Sequence, residues 1–276
     1  MLPLEDRIGD IIGKAQKGLG ITNDLLMRRA DLSLGQLRSL KAGRRTEEVL
    51  VRRVAGVLGL GEDALVGAAV GAWYPQQPEM PLGGRMFTTP FHDMTVNAFL
   101  AWDRETRRAV AIDTGTDAAE MLEWARQQGL GIELVLLTHA HMDHVAALPQ
   151  LLAATGAVGW INERDRDEED FPQRVQTFSV GQSFVVGGLR IETLAAGGHS
   201  LGQTAYLVRG LGRGVAVVGD ALFAGSMGGG VISYGDQVRH TRENILSLPE
   251  ETLLVCGHGP MTTVGQERRH NPFFAA

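Results

Sequence analysis

Residues 138–144 read Thr-His-Ala-His-Met-Asp-His, which places His139, His141, Asp143 and His144 within six positions. A neutral imidazole nitrogen and a carboxylate oxygen are both ligands for a divalent cation. The run before them, Ile132 to Leu137, is apolar and predicts a buried strand. The run after them, Val145 to Leu152, predicts a helix. Side chains on a strand-to-helix turn can converge on one point, whereas along a strand they alternate between faces. Three imidazoles and a carboxylate in one such turn are hard to account for by packing.

Three further candidates lie downstream, each beside glycine: His199 in Gly197-Gly198-His199-Ser200, Asp220 in Gly219-Asp220, and His258 in Gly257-His258-Gly259-Pro260. Each follows an apolar, β-like run, namely Leu189 to Ala196, Val215 to Val218 and Thr252 to Cys256. Four strand ends therefore offer five imidazoles and two carboxylates. One tetrahedral catalytic zinc needs about three protein ligands plus water. The set suits two metals that share one carboxylate and one bridging hydroxide. A lone histidine before glycine is usually a loop or core residue, so His199 and His258 draw their weight from the cluster at 139–144. His92, His240 and His270 are read as ordinary surface or core residues.

In that order, and with Asp113 in Ala111-Ile112-Asp113-Thr114-Gly115 ahead of them, these residues resemble the motif set of the metallo-β-lactamase superfamily. The resemblance covers roughly residues 80–276. It implies an α/β fold, an αββα sandwich with the metal site at one sheet edge. Carried over by position, it implies that His139, His141 and His199 bind a first metal. Asp143, His144 and His258 would bind a second, and Asp220 would bridge. Asp113 would brace the site without touching metal.

Within the superfamily the chain is most similar to the glyoxalase II-like thioester hydrolases. The carriers are Gly219-Asp220-Ala221-Leu222-Phe223-Ala224-Gly225-Ser226, the stretch Cys256 to Gly265, and Asn271-Pro272-Phe273. Two departures bear on the substrate. The loop after Ser226 is Met227-Gly228-Gly229-Gly230, without the arginine and acidic residue common there, and the chain stops at Ala276, short of the helical domain that contacts glutathione in full-length glyoxalase II. Position 220 is aspartate where many β-lactamases carry cysteine, which argues against antibiotic hydrolysis.

The elements that must position these residues occupy the second part of the chain. The chain has 276 residues, enough for one large or two modest domains. Its 36 glycines are nearly double the average share of about 7 %, as expected of loops pressed against a metal. The single cysteine, Cys256, excludes an internal disulfide and fits a reducing compartment. The start Met1-Leu2-Pro3-Leu4-Glu5-Asp6 is acidic too early for a signal peptide. The best apolar window, Ala64 to Tyr74, is far short of the ~20 residues that span a membrane. The expectation is a soluble cytoplasmic protein.

Residues 1–75 form one expected domain and 76–276 the other. Val49-Leu50, Val54 and Val57-Leu58 recur at helical spacing. Pro75-Gln76-Gln77-Pro78-Glu79-Met80-Pro81 then marks a linker, and β-like and helical runs alternate from Thr95 onward. The first part has a net charge of +2 and the remainder −8. The acidic run Glu163 to Asp170 reads as a solvated loop.

The first part resembles a small all-α domain of the Cro/repressor helix-turn-helix type. Leu26, Ala30, Leu32-Ser33, Leu37, Leu40, Gly43-Arg44-Arg45 and Val54 to Leu60 carry the resemblance. Eight basic residues between Arg28 and Arg53, against three acids, would suit a phosphate backbone. Yet Asp31 replaces the usual turn glycine. Leu34 and Gly35 stand where base-reading side chains belong, and neither can hydrogen-bond a base edge. The expectation is weak, unselective DNA binding at most, with the module serving as active-site cover or as the surface of a homodimer.

The function expected is therefore metal-dependent hydrolysis of a small-molecule thioester or ester, with a metal-bridging hydroxide as nucleophile. Asp143 and Asp220 would be the catalytic carboxylates, and substrate contacts would come from Ser226 to Gly230 and the linker. The two divalent ions would be zinc, with iron or manganese served equally by His and Asp. The alternatives are a mononuclear iron persulfide dioxygenase, and a DNA-binding regulator whose metal domain senses a metabolite.

Overall fold

The computed structural model describes residues 1–44, 47–166 and 175–275. Arg45, one carrier of the helix-turn-helix resemblance, and residues 167–170 of the acidic run lie outside the described residues.

The chain begins with five helices: α1 (Ile8–Leu19), α2 (Asn23–Ala30), α3 (Leu34–Lys41), α4 (Glu48–Leu58) and α5 (Glu62–Val70). In α1 the buried residues Ile8, Ile11, Ile12 and Ala15 fall three to four apart and make one apolar stripe. Thr22 caps α2, and Ser33 and Gln36 close a reciprocal capping box on α3. Between α2 and α3, Asp31 adopts a left-handed φ of 51°, a conformation that aspartate tolerates better than most residues. Leu50, Val54 and Leu58 of α4 are buried, but Val49 turns outward and is 50 % exposed. The buried stripe is Leu50, Val51, Val54, Ala55 and Leu58, spaced three to four apart, and Val49 falls on its exposed side. No helix among the described residues is long and apolar enough to cross a membrane.

Among the described residues twelve strands follow, in two six-stranded sheets. The first contains β1 (Gly84–Phe91), β2 (Met94–Trp102), β3 (Arg108–Ile112), β4 (Gly131–Leu136), β5 (Val158–Asn162) and β6 (Val175–Phe178), in that order. Its helices are α6 (Ala119–Gln128), α7 (Met142–Val145) and α8 (Leu148–Thr155). The second sheet contains β7 (Ser183–Val186), β8 (Leu189–Ala195), β9 (Thr204–Arg209), β10 (Val215–Gly219), β11 (Leu253–Cys256) and β12 (Thr262–Thr263). Helix α9 (Tyr234–His240) runs on into a π turn, Thr241–Ile245, and α10 (Val264–His270) follows β12.

Two sequence expectations need correcting. The helix expected over 145–152 is two helices, because Pro149 lacks an N–H and belongs in the first turn of α8. The β region starts at Gly84, before Thr95. Strand β1 pairs with β2 from Gly84↔Ala101 to Phe91↔Met94. Pro90 disguises it, since proline is tolerated only on an edge strand such as this one.

The strands alternate between two faces, apart from irregularities in register between β3 and β4 and at the end of β10. Phe99, Ala101, Val110, Ile112 and Leu136 of the first sheet meet Tyr206, Val208, Val215, Val217, Leu253 and Val255 of the second in one buried layer. Intervening residues such as Leu100, Ala111 and Val135 face α6 and α8. Those of the second sheet, including Leu207, Val218 and Leu254, share a single apolar cluster with α1–α5 and with Phe273 and Phe274. The proline-rich stretch is anchored rather than loose: Gln76 N–H donates to Gln266 Oε1 at 2.6 Å, and Gln77 Nε2 to the Met261 carbonyl at 3.2 Å.

Candidate metal centre

All seven candidate ligands lie at one end of the sandwich, on loops that leave strands β4, β8, β10 and β11. Three groups converge, each with its ligand atoms within 4.8 Å of one another: His139, His141 and His199; His139, His144 and Asp220; Asp143, His144 and His258.

The hydrogen bonds behind the rings assign their hydrogens. His199 Nδ1 lies 2.8 Å from the Gly229 carbonyl, and His258 Nδ1 lies 2.7 Å from the Thr95 carbonyl. A carbonyl only accepts, so both Nδ1 atoms carry the hydrogen and both Nε2 atoms present a lone pair to the cluster. His144 donates likewise from Nδ1 to Asp113 Oδ2 at 2.8 Å. His199 Nε2 and His139 Nε2 then point at His141 Nδ1, at 2.9 and 3.1 Å.

Asp220 stands between the groups. Its Oδ1 is 3.2 Å from His144 Nε2 and 3.5 Å from His258 Nε2, while its Oδ2 is 3.4 Å from His199 Nε2. Asp143 Oδ2 lies 3.2 Å from His258 Nε2. His144 Nε2 and Asp220 Oδ1 are both buried without a hydrogen-bond partner. Two lone-pair atoms facing one another in the dark of a protein interior are costly unless a cation lies between them. The donor set therefore fits divalent metal.

The electrostatics agree. Burial depresses His144 and His258, but Asp113 and Asp220 outweigh it at His144, pushing it up to about 10, and Asp220 with Asp143 pushes His258 up to about 11. Burial would raise Asp220, yet His258 and His144 hold it well below the carboxylate range. His139 and His199 are driven the other way, mainly by burial. One side of the centre thus demands positive charge, and the other offers neutral imidazoles.

Asp113 braces this arrangement. It sits at φ 57°, a conformation rare outside glycine. Its Oδ1 accepts Thr138 N–H at 2.7 Å, and its Oδ2 accepts Thr138 Oγ1 at 2.8 Å as well as His144. Thr138 also touches His139 Nδ1 at 3.0 Å. Its role was hidden in the sequence, although it stands directly before the first histidine.

A cavity of about 230 Å³ opens beside His141 and His199. Arg164, Asp165 and Ser200 line it, and the half-exposed apolar side chains Leu201, Val231 and Ile232 rim it. Here the reading of the acidic run as solvated loop holds for the exposed Glu163 but fails at Asp165. Asp165 is buried, and its carboxylate accepts Ser200 Oγ and Gly202 N–H, each at 2.6 Å, pinning the loop that carries His199. The substrate loop also needs revision: Ser226 and Met227 are buried, and the Ser226 hydroxyl donates to Asp6. His92, His240 and His270 lie outside the cluster; His240 Nδ1 donates to the Gly197 carbonyl, and His270 stacks on Trp73.

Comparison with known proteins now adds identity. Residues 93–258 match the family model described as Metallo-beta-lactamase superfamily. The chain is 32 % identical over 197 residues to "Hydroxyacylglutathione hydrolase GloC" of Haemophilus influenzae, covering 64 % of this chain and 92 % of that protein. It is 33 % identical over 162 residues to a hydroxyacylglutathione hydrolase of Pseudomonas entomophila, covering 58 % of this chain and 60 % of the relative. Among solved structures, BLEG-1 B3 metallo-beta-lactamase is 27 % identical with a TM-score of 0.61, covering 70 % of this chain and all of that one. TTHA1623, titled as a di-iron-bound form, is 29 % identical with a TM-score of 0.58, covering 68 % and 99 %. ETHE1 from Myxococcus xanthus is 26 % identical with a TM-score of 0.59, covering 69 % and 84 %. With the matched model spanning most of the chain and every ligand-bearing loop after β3 inside it, the chain belongs to the metallo-β-lactamase superfamily.

Proposed function

We propose that this chain is a binuclear metallohydrolase that cleaves a small thioester or related activated ester. The observation that carries the reading is Asp220, whose two oxygens face two different sets of imidazoles. His139, His141 and His199 would hold one cation and Asp143, His144 and His258 the other, with Asp220 between them. The di-iron title of TTHA1623 and the hydrolase name of the Haemophilus influenzae relative support it.

Bound divalent cations supply a Lewis acid and lower the pKa of water from ~15.7 to ~7. The chain's own residues do the rest. Asp143 accepts a hydrogen bond from the attacking water and orients it. Asp113 and the Gly229 and Thr95 carbonyls fix the imidazoles, so no rearrangement is needed during reaction. The apolar rim of Leu201, Val231 and Ile232 lowers the local dielectric and takes an apolar acyl group. A thiolate leaves readily, with a thiol pKa of ~8.5, so no general acid is required. For the helical part we propose a structural role and not base reading, because the exposed start of α3 presents Leu34 and Gly35.

The test is elemental analysis of the purified protein with a panel of thioesters and esters. Wild type should carry about two metals per chain. Asp220→Ala and His141→Ala should lose metal and at least ~100-fold in turnover, the scale on which even supporting residues of metal sites act. Unchanged turnover in both variants would sink the assignment. The alternative, a mononuclear iron persulfide dioxygenase, predicts one iron and oxygen uptake with a persulfide instead.

A further inference from the structure

Helix α1 and the loop 229–231 face each other across a cleft of about 330 Å³. Two acids, Asp6 and Asp10, and two lysines, Lys14 and Lys17, line it beside Gly13, and Val231 faces them from the loop. Val231 also lines the cavity beside His141 and His199, so the two spaces share that side chain as a common wall. Gly229 belongs to both regions as well, since its carbonyl fixes His199.

The glycines of α1 differ in their reasons. A Cβ at Gly9 would meet the Lys41 carbonyl oxygen at 2.1 Å, and one at Gly18 would meet the Tyr234 ring at 2.2 Å. A Cβ at Gly13 would meet nothing within 4 Å. A glycine inside a helix costs about 1 kcal/mol against alanine, and at Gly13 packing does not require it. Gly56 and Gly67 face open space too, but neither borders this cleft.

The charges are unevenly arranged. Lys14 pairs with Asp6, which also accepts Ser226. Asp10 accepts Arg7 N–H at 2.9 Å in the first turn of α1, where the helix dipole favours an anion. Lys17 lies seven residues on, about 10 Å along the helix. It is exposed and forms no ion pair among the described residues. The end of the cleft at Lys17 is therefore the positive one.

We infer that this cleft takes the non-reacting, anionic end of the substrate, with Lys17 as its charge contact and Gly13 leaving it room. The assignment rests on the thioester reading: the reacting carbonyl sits among the histidines, and a carboxylate-bearing thiol crosses Val231 into the cleft.

The experiment uses the metal-loaded full chain and two thioesters of one acyl group, whose thiols end in a carboxylate or in the matching primary amide. The carboxylate substrate should show a KM about fivefold lower, and added salt should shrink the difference. Lys17→Glu should reverse the order. Gly13→Leu should raise the carboxylate KM at least fivefold while its melting curve stays close to wild type. Calorimetric binding of the two free thiols to the same proteins is the readout independent of turnover. If neither thioester is cleaved but the carboxylate thiol still binds tighter in wild type and not in Lys17→Glu, the hydrolase reading falls and the cleft assignment stands. Turnover or binding without carboxylate preference, or a preference that survives Lys17→Glu, overturns the assignment.

Discussion

The first sheet is covered by helices from its own crossovers, whereas the second takes much of its cover from the first seventy residues of the chain. In the first sheet β3, β4, β5 and β6 pair in parallel. Parallel neighbours need a crossover, and α6 and α8 lie in those crossovers and bury Leu100, Ala111 and Val135. In the second sheet β7 to β10 pair antiparallel, and only β10 and β11 are parallel. Hairpins bring no helix with them. Yet the outer face they leave is apolar, with Leu207, Ala216, Val218 and Leu254 all buried. Helices α1–α5 fill most of that need in one continuous cluster, joined by Ile245 and Leu246 from the β10–β11 crossover, Val264 of α10 and the tail at Phe273 and Phe274. The helical region is thus part of the layer structure of the sandwich, and strand direction explains why one face needs it and the other does not.

The harshest way to break this comparison is to delete residues 1–75. The remaining chain should aggregate or lose cooperative unfolding, because several large apolar side chains would meet water. A soluble 76–276 fragment that melts sharply would show the cover to be dispensable. A subtler test pairs Leu254→Ala, under the helical bundle, with Leu100→Ala, under α6 and α8; both leucines are fully buried. Each should cost about 2–5 kcal/mol in denaturant unfolding. If the bundle were only loosely docked, Leu254→Ala would cost far less than its partner.

The two covers also differ in chemistry, and pH can sharpen that difference. The cover of the first sheet is largely apolar, with Trp124 among its side chains, but that of the second includes the buried carboxyl of Glu267, which accepts Thr262 Oγ1, Asn271 Nδ2 and Gly225 N–H at 2.8, 2.8 and 3.0 Å. Burial lifts its pKa from 4.5 to about 7, and these hydrogen bonds offset only part of the rise. A folded pKa above the unfolded one means that the folded state holds the proton longer. The stability contribution is complete below pH ~4.5 and is lost as pH rises through ~7, up to roughly 3 kcal/mol. The stability of wild type minus that of Glu267→Gln should fall across that window; a flat difference from pH 4.5 to 8 would refute it. The smallest effect belongs to Lys14, which joins α1 to Asp6 and donates to the Met227 carbonyl at 2.8 Å. Lys14→Met should cost about 1–2 kcal/mol and speed amide exchange at Met227 and Gly228 more than at Leu100. Equal exchange at all three sites would show that this contact does not tie the bundle to the metal-centre loops.

Much of the site was legible because its physics is local. A strand-to-helix turn holding His139, His141, Asp143 and His144, and glycine-flanked His199, Asp220 and His258 after apolar runs, announce convergence without coordinates. Apolar, β-like runs likewise announced β4, β8, β10 and β11. Strand β1 was not legible, since Pro90 masks it, and the proline at 149 splits a run that reads as one helix.

The sequence by itself determined the ligand types, their order and the strands that carry them, because spacing and alternation act over a few residues. Only the tertiary structure decided which oxygen of Asp220 faces which histidine, that Thr138 and the Gly229 and Thr95 carbonyls orient the rings, and that Asp165 is buried beneath the His199 loop. It also decided that α1 stands beside the metal centre instead of apart from it. Those outcomes depend on loops from both sheets meeting at one edge, and on an apolar sheet face that its own crossover covers only in part. Both are relations between residues tens to hundreds of positions apart, and no local pattern encodes them.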